Sequence, residues 1–121
     1  MIGIGCDIVE IERMQKACQN NHFVERVFTE VEIAYCQNKG KQAFASYAAR
    51  FAAKEAVLKA LGTGLRGGEI KEIEVVVDNL GKPSINLYGY HAKLAEDLGV
   101  KQICVSLSHG REHAIAYVTM E

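Results

Sequence analysis

Four charged residues stand close together in an alanine-rich segment, RFAAKEAVLKALGTG, at residues 50–64. Three of them are the cations Arg50, Lys54 and Lys59, and the fourth is the carboxylate Glu55. Glu55 and Lys59 have the i,i+4 spacing of an ordinary surface ion pair on a helix. The alanines around them, however, are not typical of a helix face exposed to solvent. Small side chains also let a ligand or a second chain approach the helix closely. The segment therefore predicts a helix with a polar stripe that has a chemical use.

A second carboxylate, Asp7, lies in the alternating segment MIGIGCDIVEI at the start of the chain. In a strand, Asp7 shares its face with Gly3 and Gly5, so no bulky neighbour shields it. A lone aspartate near a strand end commonly caps the next helix or meets water. Paired with Glu55, it would instead supply two ligands for Mg²⁺, which also takes water and phosphate oxygens. Neighbouring cations would then suit a polyphosphate substrate.

Length and composition predict one domain spanning residues 1–121. The chain is 49% hydrophobic and 24% charged, which is typical of a globular protein, and its net charge is −1. That charge argues against a nucleic-acid-binding protein, and no apolar run approaches the ~20 residues of a membrane span. The four cysteines form no C-x-x-C pair, so we expect free thiols in the cytoplasm.

Periodicity predicts an α+β fold, with an antiparallel sheet packed on one long central helix. Thr29 and Glu32 match a capping box for a helix that ends near Gln37, and Gly62 is placed to end the long helix. The segment His109-Gly110-Arg111-Glu112-His113 predicts a hairpin between the last two strands. Strands are expected at residues 2–9, 70–77, 85–87, 102–108 and 114–119, and helices at 12–18, 29–37, 44–61 and 91–98. A polar break is expected at residues 19–22, and His22 and His91 are expected at the surface.

Two motifs, GIGCDIVEIERM and RFAAKEAVLKALGTG, resemble the signatures of the holo-[acyl-carrier-protein] synthases, the small bacterial 4′-phosphopantetheinyl transferases. The similarity continues through DNLGKP and SLSHGREHAIAYV, in the same order, and so spans nearly the whole chain. The resemblance implies transfer of 4′-phosphopantetheine from coenzyme A to a serine of apo acyl carrier protein, with release of adenosine 3′,5′-bisphosphate. It also implies a role in primary metabolism such as fatty acid biosynthesis.

The resemblance implies roles for particular residues as well. Asp7 and Glu55 would bind Mg²⁺, and Lys59 would stabilise charge on the leaving phosphate. The coenzyme A contacts implied in this way are Arg50 and His109 near the 3′-phosphate, Thr63 and Gly64 near the nucleotide phosphates, Pro83 beside the adenine, and Ser106 and Ser108 nearby. The general base stays open between Asp7, Glu55 and a metal-bound water, and Lys54 either touches phosphate or pairs with an acid.

The family is typically trimeric, with each site between neighbouring protomers, and the resemblance implies the same arrangement here. Carrier proteins are acidic, and the docking residues implied for this chain are Arg13, Lys16 and Arg26. The intervening residues 18–22 carry no fixed charge, so we expect a shallow salt dependence of docking. No nucleic acid or membrane partner is expected.

Two other interpretations compete with a transferase. A non-catalytic coenzyme A or nucleotide-binding module, or a carrier-docking subunit, would need Asp7 or Glu55 to be misplaced. The sequence from His109 to His113 also fits the H-x-x-E-H pattern of a zinc hydrolase. That chemistry needs both histidines on one helix, whereas the flanking residues alternate as strands do.

Overall fold

The computed structural model describes all 121 residues and has an α+β fold with antiparallel sheets and one long helix, as predicted. None of its helices has the length and apolar character needed to cross a membrane. Short 3₁₀ turns occupy Gly40–Gln42 and Ile70–Glu72. The strands and helices in chain order are β1 (Gly3–Glu10), α1 (Ile11–Ala17), α2 (Asn21–Val27), α3 (Glu30–Gln37), α4 (Ala43–Leu61), β2 (Ile73–Val77), β3 (Pro83–Leu87), α5 (Gly89–Leu98), β4 (Ile103–His109) and β5 (His113–Met120).

The strands form two antiparallel sheets. The larger sheet has the order β1-β5-β4, and its register places Asp7 opposite Ala116 and His109 opposite Ala114. The smaller sheet pairs β2 with β3, and β3 lies beside β4. The hairpin predicted between the last two strands is confirmed, since residues 110–112 connect β4 to β5.

Helix α4 is the centre of the core and contributes to both of its hydrophobic clusters. Its alanines Ala52, Ala53 and Ala56 are fully buried. Strand β1 crosses α4 so closely that a Cβ on Gly5 would lie 2.0 Å from the carbonyl oxygen of Ala56. The glycine face of β1 is therefore pressed against the helix, and this close approach brings Asp7 to the surface of α4.

Helix ends follow the signals in the sequence. The hydroxyl of Thr29 accepts a hydrogen bond from the backbone N–H of Glu32, and the Glu32 carboxylate accepts one from the N–H of Thr29, which completes the capping box. Gly62 closes α4 in the left-handed conformation with φ of 82°. Glycine is favoured there because it has no Cβ to clash.

Three local predictions were incomplete or wrong. Helix α2 begins at Asn21, capped by the side chain of Asn20, in a stretch that sequence reasoning treated as a polar break. The strand expected from residue 70 begins only at Ile73. His91, expected at the surface, is fully buried and its Nδ1 lies 2.9 Å from Oε1 of Glu72.

Candidate functional site

Strand β1 and helix α4 bring together three charged residues that are far apart in sequence. Nζ of Lys59 lies 3.0 Å from Oδ1 of Asp7 and donates a second hydrogen bond, over 2.9 Å, to the carbonyl oxygen of Cys6. Asp7 and Glu55 line the same cavity of about 320 Å³. Lys59 thus pairs with an acid from another element and forms no ion pair with Glu55.

The negative charge of Asp7 affects the titration of Glu55. Burial raises the pKa of Glu55 above its ordinary value, the negative charge of Asp7 raises it further, and Lys59 opposes this effect. The hydrogen bond to Asp7 is the main cause that raises the pKa of Lys59. Repulsion between two carboxylates is relieved when a cation binds both of them.

The donor set at Asp7 and Glu55 fits magnesium. No group of three or more His, Cys, Asp or Glu side chains in the chain is arranged to hold a metal ion. Mg²⁺ is usually held by one or two carboxylates, with water and substrate phosphate completing the octahedron. Two carboxylates at the wall of one cavity match that requirement.

The cavity beside the carboxylates also contains one of the residues expected to contact a carrier protein. Exposed Arg13 of α1 lines it, next to an apolar wall that includes Phe23 and Phe51. Lys16 and Arg26 are exposed on α1 and α2, and Nζ of Lys16 lies 3.7 Å from Glu12. These two helices therefore present their cations on the protein surface, and Arg13 is the one that reaches the carboxylate cavity.

A second cavity, of about 420 Å³, contains four of the residues expected to contact coenzyme A. They come from three parts of the fold, namely Arg50 from α4, Pro83 from β3, and Ser108 and His109 from β4. No aspartate or glutamate lines this cavity. Of these two cavities, the one at Asp7 and Glu55 is therefore acidic and the one at Arg50 is cationic.

Arg50 is buried, with a relative exposure of 4%. The contacts of its guanidinium could not be predicted from the sequence. Its Nη1 donates to Oγ of Ser46 over 2.9 Å, and its Cζ lies 4.1 Å from the ring centre of Tyr35. Nε of Arg50 is buried and has no hydrogen-bond partner. Tyr35 and Ser46 lie outside the two signature motifs, so only the packing of α3 on α4 reveals them.

Lys54 does not belong to either cavity. It is fully buried and pairs with Glu32, with Nζ 2.8 Å from Oε1, and it also donates to the carbonyl oxygen of Ile73. Burial lowers the pKa of Lys54, against the opposing effect of Glu32. Of the two roles left open for Lys54, the structure shows pairing with an acid.

The remaining candidates lie outside both cavities. Thr63 and Gly64 form the turn after α4, where Gly64 has φ of 61° and the Thr63 hydroxyl donates to the Gly64 carbonyl. Ser106 is exposed on the same face of β4 as Ser108 and stands opposite Tyr117. The two histidines of the H-x-x-E-H pattern, His109 and His113, lie on separate strands, which is not the helical arrangement of a zinc hydrolase.

Comparison with known proteins shows what the chain is similar to. The model of the 4′-phosphopantetheinyl transferase superfamily matches residues 3–118. A holo-[acyl-carrier-protein] synthase of Clostridium acetobutylicum is 49% identical over 121 residues, covering 98% of this chain and 96% of the relative.

Solved structures give the same result. The crystal structure of the synthase from Neisseria meningitidis has a TM-score of 0.88 and 36% identity, over 100% of this chain and 99% of that one. The synthase of Helicobacter pylori in complex with coenzyme A has a TM-score of 0.81 and 31% identity, over 98% of this chain and 99% of that one. The family and fold predicted from the two motifs are confirmed.

Proposed function

The chain belongs to the 4′-phosphopantetheinyl transferase superfamily, and from this we infer that it transfers 4′-phosphopantetheine from coenzyme A to a serine of apo acyl carrier protein. Adenosine 3′,5′-bisphosphate is the second product. Relatives named holo-[acyl-carrier-protein] synthase match this chain over nearly its full length, and one solved neighbour holds coenzyme A. The observation that carries the inference is the convergence of Asp7, Glu55 and Lys59 from two separate motifs.

Asp7 and Glu55 would hold Mg²⁺ at the wall of their cavity. The metal would supply a fixed positive charge for the pyrophosphate of coenzyme A, as metal ions do in other phosphoryl transfers. Lys59 adds a second positive charge beside the same carboxylates. Because charge builds on the phosphate oxygens during transfer, fixed cations at this position lower the barrier.

The reaction is one substitution at phosphorus. The serine oxygen of the carrier forms a bond to the phosphorus that bears pantetheine, and the bond from that phosphorus to the bridging pyrophosphate oxygen breaks. The serine proton would pass to a general base, for which Asp7, Glu55 and a metal-bound water are the candidates. The electron pair of the broken bond stays on the 5′-phosphate of adenosine 3′,5′-bisphosphate. Lys59 stands beside Asp7, where it can neutralise charge on this leaving phosphate.

The cationic cavity would bind the nucleotide end of coenzyme A. Arg50 and His109 supply donors for the 3′-phosphate, Pro83 borders the adenine, and Ser108 lies beside them. Thr63, Gly64 and Ser106 lie outside that cavity, so we assign them to the phosphates between the two cavities. The turn at Gly64 presents backbone N–H groups at the end of α4, which is a common way to bind phosphate oxygens.

One coenzyme A would be shared between neighbouring protomers of a homotrimer. Arg50 and Glu55 are separated by about 140° around α4, at about 100° per residue, and they line different cavities with no residue in common. The larger sheet also exposes an apolar face, in which Ile4 is 50% exposed and Ile8 62%. Such a patch marks a protein interface, and Ile115 and Tyr117 of β5 extend it. Two further copies would cover this face and join an acidic cavity to a neighbour's cationic one.

The carrier protein would dock on α1 and α2. Arg13 lines the carboxylate cavity, and Lys16 and Arg26 lie on the adjoining helical surface, so an acidic helix of the carrier would meet three cations. Exposed charges of this kind mainly affect the association rate and its dependence on salt. The substitution Arg13→Ala is therefore expected to raise KM for the carrier more than it lowers kcat.

The cytoplasm is the compartment we propose for this reaction. All four cysteines are free in the structure, and Cys6 and Cys104 are exposed. Exposed free thiols persist in a reducing compartment.

Intact-mass measurement of apo acyl carrier protein, incubated with the chain, coenzyme A and Mg²⁺, tests the function directly. We expect a mass gain of one phosphopantetheine group that disappears with EDTA and with Glu55→Ala. A chain that binds coenzyme A tightly but modifies none of several carrier proteins would be a binding module instead. Restoring Mg²⁺ after EDTA separates metal removal from damage to the protein.

A further inference from the structure

The loop that follows helix α4, at residues 63–68, is not held by backbone hydrogen bonds. These residues take part in no backbone–backbone hydrogen bond, and the one side-chain bond in the loop joins the Thr63 hydroxyl to the neighbouring carbonyl of Gly64. The backbone N–H groups of the loop therefore have no backbone acceptor and can be offered to a phosphate. The direction in which they point depends on what the loop packs against.

The loop packs against Glu72 and the first residues of helix α5. A Cβ on Gly67 would lie 2.7 Å from the ring of Tyr90. A Cβ on Gly68 would lie 2.6 Å from Oε1 of Glu72 and 3.2 Å from Cε1 of His91. Because such distances leave no room for a side chain, the loop backbone rests directly on these three residues.

Glu72 and His91 form a polar pair beneath the loop. His91 is fully buried, and Oε1 of Glu72 accepts hydrogen bonds from its Nδ1 over 2.9 Å and from its backbone N–H over 3.4 Å. Partial burial opposes ionisation of Glu72, but the hydrogen bonds from His91 outweigh it and lower the pKa of Glu72. The second bond also caps the start of α5, where Tyr88 supplies no side-chain cap. One carboxylate thus fixes both the buried ring and the start of the helix.

We propose that Glu72, Tyr90 and His91 are positioning residues, which hold the loop in the conformation that binds the phosphates of coenzyme A. The proposal rests on the proposed function, which assigns Thr63 and Gly64 to those phosphates, and deepens it. The three residues line neither the acidic nor the cationic cavity, so they act through the loop. A loop that is already held in its binding conformation binds more tightly, because it loses less freedom on binding.

Tryptic cleavage after Arg66 tests this support without any transfer reaction. Arg66 is exposed in the middle of the loop, and its cleavage rate follows the population of the open loop. His91→Leu should speed this cleavage about tenfold, the effect of losing one hydrogen bond to a charged group. His91→Asn retains a donor for Glu72 and should largely restore the slow rate. Cleavage after Arg111, in the exposed hairpin between β4 and β5, is the internal reference for global unfolding.

Ligand binding separates a role at the phosphates from general damage. If the competent loop becomes about tenfold less populated, Kd for coenzyme A rises about tenfold. Kd for adenosine 3′-monophosphate, which lacks the pyrophosphate, should stay unchanged. The matched control is His22→Leu, which removes an exposed histidine from α2 and should change neither value. Calorimetry measures both constants.

The proposal is overturned if His91→Leu is cleaved after Arg66 at the unmodified rate, if cleavage after Arg111 rises equally, or if both Kd values rise together. Tyr90→Ala gives the same test where His91→Leu does not fold, because Tyr90 is 44% exposed and its ring supports Gly67. Failure of the proposed function is distinguishable, since the unmodified chain then adds no mass to the carrier while the cleavage rates still report on the loop. Normal transfer with an unchanged Kd for coenzyme A in both variants would refute the positioning role alone.

Discussion

Lys59 donates a hydrogen bond from Nζ to Oδ1 of Asp7 over 3.0 Å. Its ammonium group is therefore paired with one of the two carboxylates that we assign to magnesium. The contact joins β1 to α4 across 52 residues of sequence. A metal that binds Asp7 must therefore share that carboxylate with Lys59 or displace it. The displaced ammonium would then be free to bind a phosphate of coenzyme A.

Replacing Lys59 by methionine is expected to separate metal binding from catalysis. With coenzyme A absent, Lys59→Met should bind Mn²⁺ or Mg²⁺ more tightly than the unmodified chain, because Asp7 loses a competing cation. Its kcat should fall by about 10²–10³, the usual loss on removing one group that stabilises transition-state charge. Titration of Mn²⁺ followed by electron paramagnetic resonance measures the first effect, with Lys101→Met as control. Metal affinity that falls or stays the same would contradict the competition.

The raised pKa of Glu55 predicts a stability cost at neutral pH. Between the ordinary pKa of a glutamate and this raised value, the folded chain holds more protons than the unfolded chain. The free energy of unfolding therefore falls as pH rises through that interval.

Glu55→Gln removes this dependence, because a glutamine does not titrate. In the absence of metal we expect the variant to melt at a higher temperature than the unmodified chain at pH 7, while losing transfer activity. Melting curves from pH 4 to 8 measure the effect, and adding Mg²⁺ should raise the Tm of the unmodified chain only. A variant that melts lower than the unmodified chain at pH 7 would show that Glu55 stabilises the free protein.

The buried pair of Lys54 and Glu32 predicts a large stability effect at a position next to Glu55. Lys54→Met leaves the Glu32 carboxylate buried without its ammonium, although Glu32 still accepts a hydrogen bond from the N–H of Val75. Breaking one side of a buried pair typically costs about 3–5 kcal/mol. That is a large part of the roughly 5–15 kcal/mol that stabilises a small protein.

Urea denaturation of Lys54→Met measures this loss, and Lys93→Met is its control. Lys93 forms an exposed i,i+4 pair with Asp97, with Nζ 3.1 Å from Oδ1, so its loss should cost under about 1 kcal/mol. Equal effects of the two substitutions would mean that burial adds nothing to the Lys54 pair. The metal affinity of the variant, where it is folded, should stay near that of the unmodified chain.

Local signals in the sequence accounted for most of the fold. The capping box at Thr29 and Glu32 and the glycine stop at Gly62 depend on neighbouring residues, so they were readable directly. Helix α2 was missed because its seven residues have a weak periodic pattern, although Asn20 was available as a cap. His91 was misjudged because its burial depends on Glu72, which no local pattern relates to it.

The sequence indicated those candidate site residues whose role depends on the type of side chain. It did not indicate residues whose role depends on contacts between elements that are distant in sequence. Asp7, Glu55 and Lys59 were found as charged residues in two motifs. The role of Gly3 and Gly5 was not visible, because their need for glycine comes from the carbonyl oxygens of α4, more than 50 residues away. Tyr35 was hidden for the same reason, since its two cation contacts exist only in the folded chain.

Mixing two inactive variants tests whether each site is shared between protomers. Asp7→Asn damages the acidic cavity and Arg50→Ala the cationic one, and each variant alone should have little activity. If neighbouring chains supply the two cavities, a mixed trimer contains interfaces at which both are intact. Random mixing of equal amounts gives intact pairs at about one interface in four, so about a quarter of the unmodified activity should return after the chains are unfolded and refolded together.

The outcome distinguishes the two arrangements because a site built within one chain would keep its defect in every mixture. Activity that stays at the level of the separate variants would therefore place both cavities of a site in the same protomer. Refolding each variant alone controls for activity gained by the procedure, and native mass spectrometry verifies that mixed trimers have formed. Ile8→Lys, which puts a charge on the exposed face of β1, should prevent both assembly and recovery, whereas Val31→Lys, on an exposed position of α3, should prevent neither.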